Sequence, residues 1–148
     1  MGSEYCALNY YAPDEDAFYL SYLSDFKDRQ DTREMKTCSM PQILNDPARV
    51  NALITGGDHT HPHNARFSPG DLSGKWNPAR VVTEKTGRVF QRELFVFHRR
   101  GDGACSVYGF NYATRVISAL RGGQWVQIGH VYDDNGNIRM FEGMGWQP

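Results

Sequence analysis

The chain has 148 residues, 40% of them apolar and 13% aromatic, with a formal net charge of −1. That length fits one domain over residues 1–148, with a core rich in Tyr, Phe and Trp. The balanced charge, with no long run of one sign, argues against a nucleic-acid partner, which needs a basic excess to neutralise phosphates, and no apolar run is long enough to cross a bilayer.

The opening segment, MGSEYCALNYYAPDED, has neither a basic stretch nor an apolar one of the signal-peptide kind. Cys6, Cys38 and Cys105 are odd in number and far apart, which points to three free thiols in a reducing, cytoplasmic setting. Pro13 followed by Asp14-Glu15-Asp16 has the grammar of a helix start, and Ala17, Leu20, Tyr22, Leu23 and Phe26 recur at roughly helical spacing. A helix is expected from Asp14 to about Asp28.

Arg33 to Met40 alternates and reads as a short strand stopped by Pro41, and Gln42 to Pro47 reads as a turn or short helix. Val50 to Thr55 is apolar and β-prone, so it is expected as a buried strand, with Gly56-Gly57 letting the backbone bend as it leaves. Ser68-Pro69-Gly70-Asp71 starts a short helix, with Ser at the N-cap, Pro at the first position and an acid at the third. Arg80 to Glu84, Arg88 to Arg99 and Cys105 to Phe110 read as strands. Ala113 to Leu120 reads as a helix ended by Gly122-Gly123. Trp125 to Tyr132 and Ile138 to Phe141 read as a hairpin around Asp134-Asn135-Gly136. The expected class is α+β, with a mixed or antiparallel sheet flanked by two or three helices.

One stretch looks built for chemistry. His59 and His61 stand two apart after the apolar run, followed by Ser68 and Asp71. On a strand, residues i and i+2 share a face, so both imidazoles can aim at one point. A catalytic zinc takes three protein ligands and keeps one position for water, and Asp71 is the natural third ligand beside His59 and His61. Zinc in such a site lowers the pKa of its water to about 7. Ser68 is placed to donate to a developing oxyanion, and a glutamate is needed to carry the proton. Plainer roles stand beside these: polar-loop hydrogen bonds for the histidines, an N-cap for Ser68 and a helix-start acid for Asp71.

His59-Thr60-His61-Pro62 with Ser68-Pro69-Gly70-Asp71 resembles the HxHP…SxxD signature of the JAMM metalloproteases, the JAB/MPN superfamily. The fuller form, HTHP…FSPGDL, is similar to bacterial JAB-like domains at the ends of RHS-type and other polymorphic toxins. The resemblance covers about Gly56 to Leu72, and the six residues between His61 and Ser68 are one fewer than in eukaryotic members. It implies a JAB/MPN-like domain, zinc as cofactor held by His59, His61 and Asp71, Ser68 as oxyanion donor, and a catalytic glutamate on an upstream strand. Glu34 is the preferred candidate for that glutamate, and Glu15 is the alternative.

The implied function is a zinc-dependent peptidase or isopeptidase acting on a peptide or protein. As a toxin or effector domain it would leave the cell by a non-classical route and meet an immunity or carrier protein. The alternatives are a catalytically inactive JAB-like binding module, and a different metal hydrolase, such as a nuclease, using the same His/His/Asp site. No substrate-binding residue is assigned by the sequence.

Overall fold

The structure is a computed structural model that describes residues 4–26, 38–40, 44–62, 64, 66–74, 76 and 80–146. The described residues are mostly β, with 46% in strands and 4% in helix. Among the described residues the helical content is a single five-residue turn, α1 (Pro69–Ser73). The expected α+β class with two or three flanking helices is therefore corrected.

The main sheet has eight strands in the order β10-β9-β8-β7-β6-β3-β1-β2. They are β1 (Cys6–Ala12), β2 (Ala17–Leu20), β3 (Leu53–Thr60), β6 (Glu93–Arg99), β7 (Cys105–Asn111), β8 (Val116–Arg121), β9 (Gln124–Val131) and β10 (Ile138–Met140). A small second sheet pairs β4 (Arg80–Val82) with β5 (Val89–Gln91). The strand expected over Arg88–Arg99 is thus split at Arg92 between two sheets. β3 pairs antiparallel with β1 and parallel with β6, while the other neighbours in the main sheet run antiparallel.

Two expected helices give way to strands for the same reason. The acids 14–16 close a turn, with Glu15 N donating to Ala12 O and Asp16 N to Pro13 O, and Asp16 has a φ of 49°. A residue in that region cannot continue a right-handed helix. The aromatic segment Ala17–Leu20 returns along β1, with Tyr11 opposite Phe18; packing on a neighbour outweighs a loose 3.6-residue pattern. Residues 27–28 of that expected helix, like 33–37 of the strand expected up to Met40, lie outside the described residues. In the second case, Asn111 Oδ1 accepts from the backbone N–H of Ala113 and Thr114, and Arg115 has a φ of 60°. The β-branched Val116 and Ile117 then open β8. Gly122 and Gly123, with φ of 57° and 77°, are the two central residues of a tight hairpin into β9 rather than a helix end.

Gly56-Gly57 is a third correction. The strand does not end there; past a register shift against β1 at Thr55 it runs on to Thr60 and carries His59 with it. At Gly56 a Cβ would come within 2.2 Å of Glu93 O, so the residue is glycine because β6 passes too close for anything larger. At Gly57 a Cβ would meet Met40 Cε at 2.8 Å.

The core lies on one face of the sheet, where Leu94, Val96, Phe110, Ile117, Ile128 and Val131 pack against Phe67 and Leu72 from the α1 segment. Phe67 and Leu72 flank the helix start as a hydrophobic staple. The segment is tied from the other side too: Arg115 Nη2 donates to Leu72 O at 2.9 Å. α1 is thereby pinned over the end of β3 where the histidines emerge. The expected free thiols are also corrected: Cys6 and Cys38 form a disulfide, and Cys105 is free and exposed. No helix among the described residues is long and apolar enough to cross a membrane.

Candidate metal centre

β3 places His59 at its end, 3% exposed, and His61 follows just beyond the strand. α1 presents Asp71 toward both. His59 Nε2 is 3.3 Å from Asp71 Oδ2, and His61 Nε2 is 3.5 Å from the same oxygen. Two ligand atoms each about 2.05 Å from a tetrahedral ion stand about 3.3 Å apart. Each imidazole therefore stands at ligand spacing from Asp71 Oδ2, and a donor set of two imidazoles and a carboxylate fits zinc.

The outer hydrogen bonds orient the set. His59 Nδ1 is 3.0 Å from Phe95 O on the parallel neighbour β6. A carbonyl only accepts, so Nδ1 carries the proton and Nε2 faces Asp71. There Nε2 is either the N–H of an imidazolium or a lone pair turned to a cation. Asp71 Oδ2 also accepts from Ser68 N at 2.9 Å, and Ser68 Oγ accepts from Asp71 N at 3.1 Å, a reciprocal capping box. Ser68 is thus the N-cap, and its hydroxyl hydrogen remains available as a donor. His98 Nδ1 lies 2.8 Å from His61 O, which holds the second histidine's backbone in place.

The charges are coupled. Burial disfavours a charged His59, but the hydrogen bond and charge of Asp71, with Glu4 adding to them, push its pKa above the ordinary value. Burial and then the neighbouring His59 push His61 down. Burial opposes a charged Asp71, yet the His59 hydrogen bond and charge, helped by the Ser68 backbone, hold it below the usual carboxylate range. Tyr112 stands nearby, and burial together with the Asp71 charge pushes its phenol up to about 12.

Glu34, the preferred proton carrier, lies outside the described residues, as does His63. Glu15 is corrected: it sits in the β1–β2 turn, paired with Arg49 at 2.7 Å. That turn follows the end of β1 remote from Cys6, whereas His59 lies opposite Cys6. The sequence reading missed Glu4. Beyond the Cys6–His59 pair, Tyr5 N donates to Thr60 Oγ1 and Thr60 N donates to Tyr5 O, both at 2.9 Å. That register brings Glu4 opposite His61 and puts Glu4, Cys6, His59 and His61 on one face. Ligand atoms of Glu4, His59 and His61 all lie within 4.8 Å of one another. The signal was the alternation of Glu4, Cys6 and Leu8 ahead of an aromatic β-prone run, but its partner strand could not be read from the sequence.

A cavity of about 300 Å³ opens beside the cluster, lined by Glu4, His59 and Asp71 at one end and by Met40, Trp76 and Tyr112 elsewhere. Arg66 is not among its lining residues, Phe67 is core, and His130 belongs to β9, paired with Val116 and Arg139. No family model, curated protein or solved structure matches the chain, so what the site can do follows from its own chemistry.

Proposed function

We propose that the protein is a metal-dependent hydrolase, specifically a zinc peptidase or isopeptidase of the JAMM kind. The observation that carries this reading is the placement of Asp71 Oδ2 at 3.3 and 3.5 Å from two histidine Nε2 atoms, with the His59 ring also fixed by the Phe95 carbonyl. The resemblance of His59-Thr60-His61-Pro62 and Ser68-Pro69-Gly70-Asp71 to the JAMM signature supports the same reading.

Bound by His59, His61 and Asp71, zinc would acidify a water and polarise the scissile carbonyl. Glu4 takes the water's proton and delivers it to the leaving nitrogen, a role that its place beside His61 allows and that Glu34 was expected to fill. Ser68 turns its hydroxyl hydrogen toward the oxyanion while its oxygen caps α1. The cavity beside Asp71 receives substrate chain between Met40, Trp76 and Tyr112. A peptide or protein is the proposed substrate. An effector role with an immunity or carrier partner rests on the toxin-domain likeness alone.

Metal analysis joined to a peptide-cleavage assay tests the reading. The expected result is one zinc per chain, lost in His59→Ala, with amide hydrolysis that depends on it. Zinc retention without cleavage of peptide or isopeptide bonds would leave a JAB-like binding module. Cleavage of nucleic acid instead would make it a nuclease.

A further inference from the structure

A second ligand cluster adjoins the first. One ligand atom each from Glu4, Cys6 and Cys38 lies within 4.8 Å of the others, and Glu4 Oε1 is 3.6 Å from Cys38 Sγ. Cys6 is opposite His59 in the strand register, and both cysteines line the cavity that His59 and Asp71 share. We infer that reduction of the Cys6–Cys38 bridge opens a thiolate metal site, made by Cys6, Cys38 and Glu4, for zinc or another thiophilic divalent cation.

The step balances with a dithiol as reductant. Two electrons and two protons pass from the dithiol to the bridge, the S–S bond breaks, and the dithiol leaves as its own disulfide. Cation binding then releases the two thiol protons to solvent. The geometry needs little change. Two sulfurs each about 2.3 Å from a tetrahedral ion stand about 3.7 Å apart, and with the Cα atoms 5.9 Å apart, side-chain rotation accommodates that spacing.

Cys38 also has anchors other than the bridge. Ser39 N donates to Phe26 O at 2.8 Å, and Met40 occupies the space over Gly57. Glu4 belongs to both clusters. Once it ligates the thiolate-bound ion, it is withdrawn from the water at the first centre. The binding claim stands alone; this consequence for turnover rests on the hydrolase reading.

Cobalt(II) is the probe, because thiolate ligation adds a charge-transfer absorption that imidazole and carboxylate ligands lack. The full chain is treated with dithiol, freed of it without air, and titrated with cobalt. The absorption is expected in reduced wild type and in reduced His61→Ala, and not in the oxidised protein or in reduced Cys38→Ser. Replacing outer-shell groups alone weakens metal binding about 10- to 100-fold, so Glu4→Gln, which removes a direct ligand, is expected to weaken cobalt at least about tenfold. No such absorption in reduced protein that keeps its β circular dichroism overturns the inference. So does an affinity unchanged by Glu4→Gln, or loss of the fold on reduction. Thiolate–cobalt absorption without amide hydrolysis in any state would sink the hydrolase reading and leave this one standing.

Discussion

The two sides of the main sheet are held together differently. From β6 to β10 each strand pairs antiparallel with the next in sequence, and Val96, Phe110, Ile117, Ile128 and Val131 fill the shared face. β1 and β3 meet across a long stretch of chain, and β3 joins the meander through a parallel pairing with β6. Beyond that seam the same face carries Glu4, Cys6, His59 and His61. A meander of local hairpins needs only apolar contacts and good turns. A buried polar cluster needs partners for each group, and these come from other segments: Phe95 O for His59, His59 Nε2 for Asp71 and the Tyr5–Thr60 pair for the strand ends.

The sharpest way to break this contrast is to separate chemistry from packing. Glu4→Gln is expected to lower kcat about 10²- to 10⁴-fold with zinc content intact, while Glu15→Gln at the far turn leaves both unchanged. Peptide hydrolysis and metal analysis check it, and full turnover in Glu4→Gln would move the proton carrier elsewhere, with Glu34 next to test.

Packing at the seam comes next. Gly56→Ala drives a Cβ against the Glu93 carbonyl at 2.2 Å, whereas Gly109→Ala in the meander meets side chains alone, the Phe95 ring at 3.0 Å and the Trp125 ring at 3.7 Å. Backbone cannot yield as a ring can, so denaturant unfolding should show a loss of about 3 kcal/mol for the first and about 1 kcal/mol for the second. Equal losses would mean that the parallel seam is no tighter than the hairpins. Zinc at 100 times its Kd is expected to stabilise the protein by about 2.7 kcal/mol. That gain should vanish in His59→Ala and survive in Asp133→Asn, as read from Tm.

The smallest effect is that of acid. Asp46 is held below the usual carboxylate range by the Tyr10 hydroxyl and then Arg49, Glu15 by Arg49 and Tyr19, and Asp133 by Asn137. A depressed folded pKa contributes stability that is present above the unfolded values of about 3.9 for Asp and 4.3 for Glu. It is lost as pH falls through the lower folded values. Asp46→Asn should flatten the acid limb of a pH–stability curve more than Asp133→Asn. Asp46 joins Tyr10 to Arg49, whereas Asp133 bonds only nearby amides within its own turn and Arg115 through its carbonyl. A larger change at Asp133 would reverse the ranking of the two regions.

What the sequence by itself determined was local. The capping box at Ser68 and Asp71, the turn at Asn135-Gly136, the strands β4, β7 and β9 and the pairing of His59 with His61 rest on neighbours a few residues apart, where side-chain alternation and turn chemistry suffice. Three things rested on contacts distant in sequence. Ala17–Leu20 and Val116–Arg121 became strands because a pairing edge was waiting for them. Cys6 found Cys38 because β1 and the segment at residues 38–40 meet beside β3. Glu4 joined the histidines only through the β1–β3 register. A pattern along the chain reports which face a side chain takes, but not which strand lies beside it, and that choice belongs to the packed sheet.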